Sequence, residues 1–318
     1  NPLVIEDVWK LTGESSLIPT EKLEIRLNNL SLPEYSLKVA VPGALAWKDG
    51  IRDSEVVWMP ASEGNWHISK HPHQVSKLLN RPDITANCVD RNGYVKRPGL
   101  IDVFAGGCDP YDTKSDGEAK DLSLGGISVR LKFFPQVDGQ KFEFDEAVQD
   151  FVPSNGGESW ETDQYVCDYV HRHDNPEDFY EDLIKTCVYY GCYILTERQK
   201  QAALVTYFTH RGYLGYLMER PQETSPINRI DHQYGMPSTP ETIAMYDGLM
   251  MAEAVRKANT INHPRILMQA IQVTSQTRTK MDLYVACGFS QVACKSIVVK
   301  TTEEEKLAGG LFFEERVV

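Results

Sequence analysis

Leu100-Ile101-Asp102-Val103-Phe104-Ala105-Gly106-Gly107-Cys108-Asp109-Pro110 is the stretch on which the fold turns. Residues 100–108 are largely apolar, and the run ends on an acid followed by proline, which has no N–H to continue a pairing ladder. It predicts a buried first strand with Asp109 at its carboxyl end, entered through the Pro98-Gly99 breaker. Downstream, residues 124–134 place Ile127, Val129, Leu131 and Phe133 on one face at period two, a second strand. Residues 141–144 predict a third.

Beyond these strands the punctuation changes to that of helices. Asn175-Pro176-Glu177-Asp178 supplies an N-cap, a proline at the first helical position and acids in the first turn, and Gly191 closes a helix running to about Tyr190. A short apolar strand, Cys192 to Thr196, then ends on Glu197. A helix over 198–211 stops at Gly212, and 213–217 predicts another strand. Thr239-Pro240-Glu241 opens a long helix to about Ala258, 265–274 forms a shorter one, and Asp282 opens the last, to about Val298. Three strands followed by alternating helix and strand predict a mixed α/β sheet with helices on its faces.

Residues 1–98 read as a strand-rich lead-in or linker, with strand-like segments at Leu23 to Leu27 and Glu55 to Met59, and residues 301–318 as a charged tail. With 42% hydrophobic and 25% charged residues in 318, the composition is that of a globular protein and excludes disordered, collagen-like and coiled-coil classes. No eighteen-residue stretch lacks a charge, which argues against a membrane span. Seven cysteines, an odd number without a C-x-x-C pair, argue against a disulfide framework or zinc ribbon and for a reducing compartment. The net charge of −12 repels nucleic acid at long range, so any role on DNA requires local cations or metal ions.

Asp109 and Glu197 end strands, where side chains enter the crevice in which α/β sheets keep their sites. Asp282 heads an apolar helical face that continues through Ala286, Phe289 and Ala293. Converging carboxylates repel unless a metal binds between them. Each acid also has a local reading: Asp109 as a turn residue, Glu197 as a first-turn acid of the next helix, and Asp282 as a helix cap.

Taken jointly, an acid ending strand one, a glycine-rich approach, an acid ending the fourth strand and an acid on the final helix resemble the RNase H-like nuclease fold. More specifically, Ala105 to Asp112, Tyr190 to Tyr213, Tyr234-Gly235-Met236 and Met281 to Ala286 resemble the nuclease domain of phage large terminase subunits, over residues 99–300. The resemblance implies an endonuclease that cuts concatemeric double-stranded DNA during phage genome packaging. It implies two divalent ions, Mg²⁺ or Mn²⁺, held by Asp109, Glu197 and Asp282, with Asp121 as a fourth acid near them. It also implies portal and small terminase subunits as partners, the cytoplasm of an infected bacterium as location, and no membrane. The third motif departs from the family: a doubled acid is common there, whereas this chain reads Arg278-Thr279-Lys280-Met281-Asp282. The family's ATPase motor needs a G-x-x-x-x-G-K-[ST] loop, and no Gly-Lys dipeptide occurs in these residues, so no ATPase activity is expected of them. The alternatives are a resolvase- or transposase-type enzyme of the same fold and a non-catalytic assembly module.

Arg198, Lys200 and Arg211 follow Glu197, and Arg278 and Lys280 precede Asp282, where they would contact DNA phosphates; plain surface charge is the alternative. His67, His71 and His73 read as surface of the lead-in. His171-Arg172-His173-Asp174 reads as a solvated helix end, and Cys187, Cys192, Cys287 and Cys294 as packing residues.

Overall fold

A computed structural model describes residues 16–36, 38–76, 88–89, 96–111, 123–132, 141–154, 159–198, 202–221 and 233–295. In chain order these hold helix α1 (Glu21–Leu30), strands β1 (Val41–Trp47), β2 (Val56–Pro60) and β3 (Trp66–Ile68), and helix α2 (Pro72–Ser76). Strands β4 (Cys88–Val89), β5 (Lys96–Arg97), β6 (Phe104–Asp109), β7 (Gly125–Leu131), β8 (Phe142–Asp145), β9 (Asp150–Pro153) and β10 (Tyr165–His171) follow. The remainder comprises α3 (Pro176–Tyr190), β11 (Tyr193–Thr196), α4 (Ala202–Arg211), α5 (Pro240–Arg256), α6 (Pro264–Gln272) and α7 (Asp282–Lys295).

The main sheet has seven strands in the order β11-β6-β7-β10-β3-β1-β2. Strands β6, β7 and β10 pair antiparallel, and β11 returns parallel to β6, so the predicted mixed α/β sheet flanked by helices is present, consistent with an RNase H-like fold. Both faces are covered. Phe179, Leu183 and Cys187 of α3 pack with Ile127 and Val129 on one side. On the other, Leu283, Cys287 and Phe289 of α7 pack with Ala105 and Leu195. That is why all six residues of β6 are buried and its sequence reads as a run rather than an alternation. Burying a side chain such as Phe179 or Phe289 contributes on the order of 2 kcal/mol.

Two glycines set how closely α7 approaches. A Cβ on Gly107 would stand 2.2 Å from the Ala286 carbonyl oxygen, and one on Gly126 would stand 2.5 Å from that of Asp282. Only a hydrogen fits at either place, so the last helix lies directly on β6 and β7.

Local punctuation acts as its chemistry predicts. The Asn175 side chain accepts from the Glu177 amide at 3.2 Å, Pro176 takes the first turn, and Gly191 ends α3 at φ +57°. Thr239 caps α5 by accepting from the Thr242 amide. Several expectations are corrected. Residues 23–27 lie in α1, not a strand: Leu23, Arg26 and Leu30 are buried at helical spacing, with Glu21 and Glu24 in the first turn. The strand predicted from Leu100 begins only at Phe104, because the Val103 and Phe104 amides turn back onto the Leu100 carbonyl. The strand over 141–144 pairs with β9 in a separate hairpin. The strand that instead pairs with β7 is β10, in a stretch read as the end of a helix. Residues 213–217 form a 3-10 turn, Leu214–Tyr216, from which only Leu217 bridges to Ile194. The lead-in strands are not a separate layer, since β3 pairs with β10 and carries β1 and β2 into the main sheet. Residues 301–318 lie outside the described residues. No described helix is long and apolar enough to cross a membrane.

Candidate functional site

The backbone gathers the three acids at one end of the sheet. Asp109 is the last residue of β6, and the Glu197 amide donates to the Cys108 carbonyl at 3.1 Å, which sets Glu197 beside it on the parallel neighbour. Asp109 pairs across the ladder with Gly126, the glycine on which the Asp282 backbone rests. All three are buried, at 3%, 7% and 2% exposure. Glu197 is held from its other side by Tyr234-Gly235-Met236: the Met236 amide donates to the Thr196 carbonyl at 2.9 Å, and the Arg198 amide to the Met236 carbonyl at 2.7 Å. The left-handed φ of +70° at Gly235 turns this segment in.

Each of two carboxylates has a partner that the sequence did not suggest. Asp282 accepts from the Ser123 hydroxyl at 2.6 Å and from the Leu124 amide at 3.0 Å, one on each oxygen. Glu197 accepts from the Ser238 hydroxyl, just before the α5 cap. Tyr246, one α5 turn beyond Thr242, has its hydroxyl pKa raised by burial first and then by the negative charges of Asp247, Asp109 and Glu197, so this buried phenol lies in the field of the site. Asp247 accepts from Tyr284 and from Arg278, each at 2.9 Å. These partners come from segments up to 159 residues away, and no local spacing announces them.

The acids fit a hard divalent cation in kind, since all three offer carboxylate oxygens and burial makes their mutual repulsion costly. Among the described residues, however, no group of three or more His, Cys, Asp or Glu is arranged to hold a metal ion. The hydroxyl and amide partners of Asp282 and Glu197 account for how those side chains are turned.

The expected DNA-facing cations separate. Arg198 is exposed beside Glu197, and Lys280 is exposed on the turn before α7. Arg278 is ion-paired with Asp247 at the edge of the site. Arg211 is instead engaged with Asp53 and Glu181, at 2.9 and 3.1 Å, where it locks the β1–β2 hairpin against α3 and α4. Lys200 and Asp121 lie outside the described residues.

Of the lead-in histidines, His73 is exposed as expected, whereas His67 and His71 are half-buried. His67 is held to about 4 by burial, as is His71, which contacts the Tyr189 hydroxyl at 2.8 Å. His171-Arg172-His173 ends β10, not a helix, and Asp182 raises the His173 pKa through a hydrogen bond. Ser69, His263 and Asp168 stand in the order of a nucleophile, base and carboxylate, with contacts of 3.0 and 2.7 Å. Yet His263 and Asp168 are fully buried, and Arg265 takes the other Asp168 oxygen at 2.6 Å. This network ties β3, β10 and α6 together. The cysteines pack as expected, and burial pushes the Cys294 thiol up to about 11.

No family model matches the chain, and no curated protein does. Among solved structures it is similar to the large terminase nuclease from thermophilic phage G20c. The identity is 9% and the TM-score 0.40, over 88% of this chain and 98% of that one.

Proposed function

We propose that this chain is a metal-dependent endonuclease acting on double-stranded DNA, of the kind that trims phage genome concatemers during packaging. The observation that carries the reading is the joint placement of Asp109, Glu197 and Asp282: two on the carboxyl ends of adjacent parallel strands and the third on the helix resting over the ladder partner of the first. In this reading Asp109, Glu197 and Asp282 would hold two Mg²⁺ or Mn²⁺ ions, with Asp121, outside the described residues, as the fourth acid that the sequence resemblance implies. Such ions supply an activated water and charge stabilisation at the leaving oxygen of a phosphodiester. The protein's own part is to hold the carboxylates through Ser123, Leu124 and Ser238, to keep water out beneath the site with Tyr246 and Phe289, and to offer Arg198 and Lys280 to phosphates. Double-stranded DNA, a motor domain, a portal and a small terminase subunit are the partners, in the cytoplasm of an infected bacterium, as the sequence resemblance implies.

The test is cleavage of supercoiled plasmid in Mn²⁺ and in chelator. Wild type should cut only with metal, and Asp109→Asn, Glu197→Gln and Asp282→Asn should each abolish cutting while keeping wild-type circular dichroism. Cutting in chelator, or full activity in any one variant, contradicts the reading.

A further inference from the structure

Between its two ends, helix α5 turns an uncharged face to solvent. Its interior acids are committed inward. Asp247 accepts from Tyr284 and Arg278, while Glu253 is ion-paired with Arg130 at 2.8 Å and accepts from Tyr165 and Gln291, each at 2.6 Å. What remains outside, at spacings of three and four, is Ala244, Gly248, Met251 and Val255, with Met251 43% and Val255 46% exposed. The solvent side of a surface helix is ordinarily charged or polar. Helix α1 widens the apolar patch: Lys22 Nζ donates to the Val255 carbonyl at 2.6 Å, and Ile25, one turn on, is 54% exposed. Gly248 is the odd residue for a lone helix. An added Cβ there meets nothing within 4 Å, and glycine in a helix interior is destabilising relative to alanine. A second helix crossing closely at Gly248 gives that residue a use.

The two ends of this face carry opposite charge. Glu241 in the first turn and Arg256 in the last are both exposed, and neither forms an ion pair among the described residues. Arg256 shares a groove with Lys257 and Lys295, and the acids there, Asp163 and Glu253, are already paired with Lys257 and Arg130, so that end of α5 is positive. At about 100° per residue, Glu241 and Arg256 stand about 60° apart around the helix axis, on one flank of the face. An antiparallel second copy crossing at Gly248 therefore sets each Glu241 against the partner's Arg256, and the N-terminus of each helix beside the C-terminus of the other. We propose that this face is where two copies of the chain pair, α5 against α5 about a two-fold axis beside Gly248. A two-fold contact uses the same patch on both copies and must be self-complementary, as this one is. One helix pair with α1 alongside is a small interface beside the roughly 1,600 Å² of a standard one, so the dimer is reversible and concentration-dependent. The inference stands apart from the metal-dependent reading above.

The experiment is sedimentation velocity of the full chain at low salt over about two decades of concentration, with circular dichroism on every variant. Wild type should pass from monomer to dimer as concentration rises. Met251→Lys and Val255→Lys, at exposed positions that the fold of one copy tolerates, should each weaken the dimer by about 10-fold or more, because each substitution enters the interface twice. Glu241→Lys and Arg256→Glu should each weaken it as well, by setting like charges together. Mixed in equal amounts, these two variants should dimerise better than either does alone, since both cross-pairs then join opposite charges, and added salt should shrink that gain. A parallel pairing would show no such gain. Dimers indifferent to Met251→Lys and Val255→Lys would place the contact elsewhere and overturn the proposal, as would a mixture no better than its components. A wild type that stays monomeric throughout overturns it too, and leaves the face to a different protein or to a further segment of a longer chain.

Discussion

Glu181 shows how this chain spends its buried charge outside the candidate site. Burial alone would raise its carboxyl pKa, but donors from Arg211, Arg52, Trp47 and Tyr207, at 2.9–3.1 Å, bring it down to about 2. A depressed carboxylate contributes stability that is present above its unfolded value and lost as pH falls through the folded one. Glu181→Gln should therefore cost on the order of 1 to 2 kcal/mol at pH 7, after discounting for solvent screening. The gap to wild type should persist at pH 4 and narrow toward pH 2, as read from urea midpoints. A gap that closes already above pH 4 would mean that Glu181 titrates normally. The same cluster sets the fate of Arg211. With its guanidinium between Asp53 and Glu181, Arg211→Gln should lower the urea midpoint without changing the salt dependence of DNA binding. Arg198→Gln should reduce that dependence. An Arg211→Gln variant of unchanged stability and weakened DNA binding would return Arg211 to the DNA surface.

Helix α7 meets the sheet through Gly107 and Gly126, and that contact also seats Asp282. Gly126→Ala forces the helix outward against backbone atoms, an overpacking that should cost about 1–3 kcal/mol and weaken Mn²⁺ binding together with it. Gly248→Ala, on the exposed interior of α5 where an added Cβ meets nothing within 4 Å, is the control: it should raise stability by about 0.5–1 kcal/mol through helix propensity and leave Mn²⁺ binding unchanged. Equal effects in the two would remove the close approach as the cause. Elements of this kind were legible unevenly. Helix α3 could be read almost to the residue because Asn175, Pro176 and Gly191 act within one turn of themselves. The acids at element ends, Asp109, Glu197 and Asp282, were legible for the same reason, since a strand or helix end is a local event. Strand β10 was missed because burial on both faces left it no alternation to read. Helix α1 was misread because five residues from Leu23 are too short to separate a period of 3.6 from a period of 2. Ser123, Ser238 and Asp247 carry no spacing signal at all; only the tertiary fold brings them to the acids.

At the scale of the whole molecule, 45 acids against 33 bases make the chain anionic, and three of those acids are buried together at one sheet end. Clustered carboxylates repel in the absence of a cation, so the folded chain should be stabilised by whatever neutralises them. An ion that binds only the folded state adds about 2.7 kcal/mol at a hundredfold excess over its dissociation constant. Removing one charge should act the same way without metal: Glu197→Gln should melt no lower than wild type in chelator, yet lose most of the metal-induced gain. The direct measurement is therefore a pair of thermal melts, in chelator and in Mn²⁺, for wild type and for Asp109→Asn, Glu197→Gln and Asp282→Asn. A large Mn²⁺ shift in wild type that collapses in all three variants is the predicted result. No shift in wild type, or a full shift retained in any of the three, would contradict it.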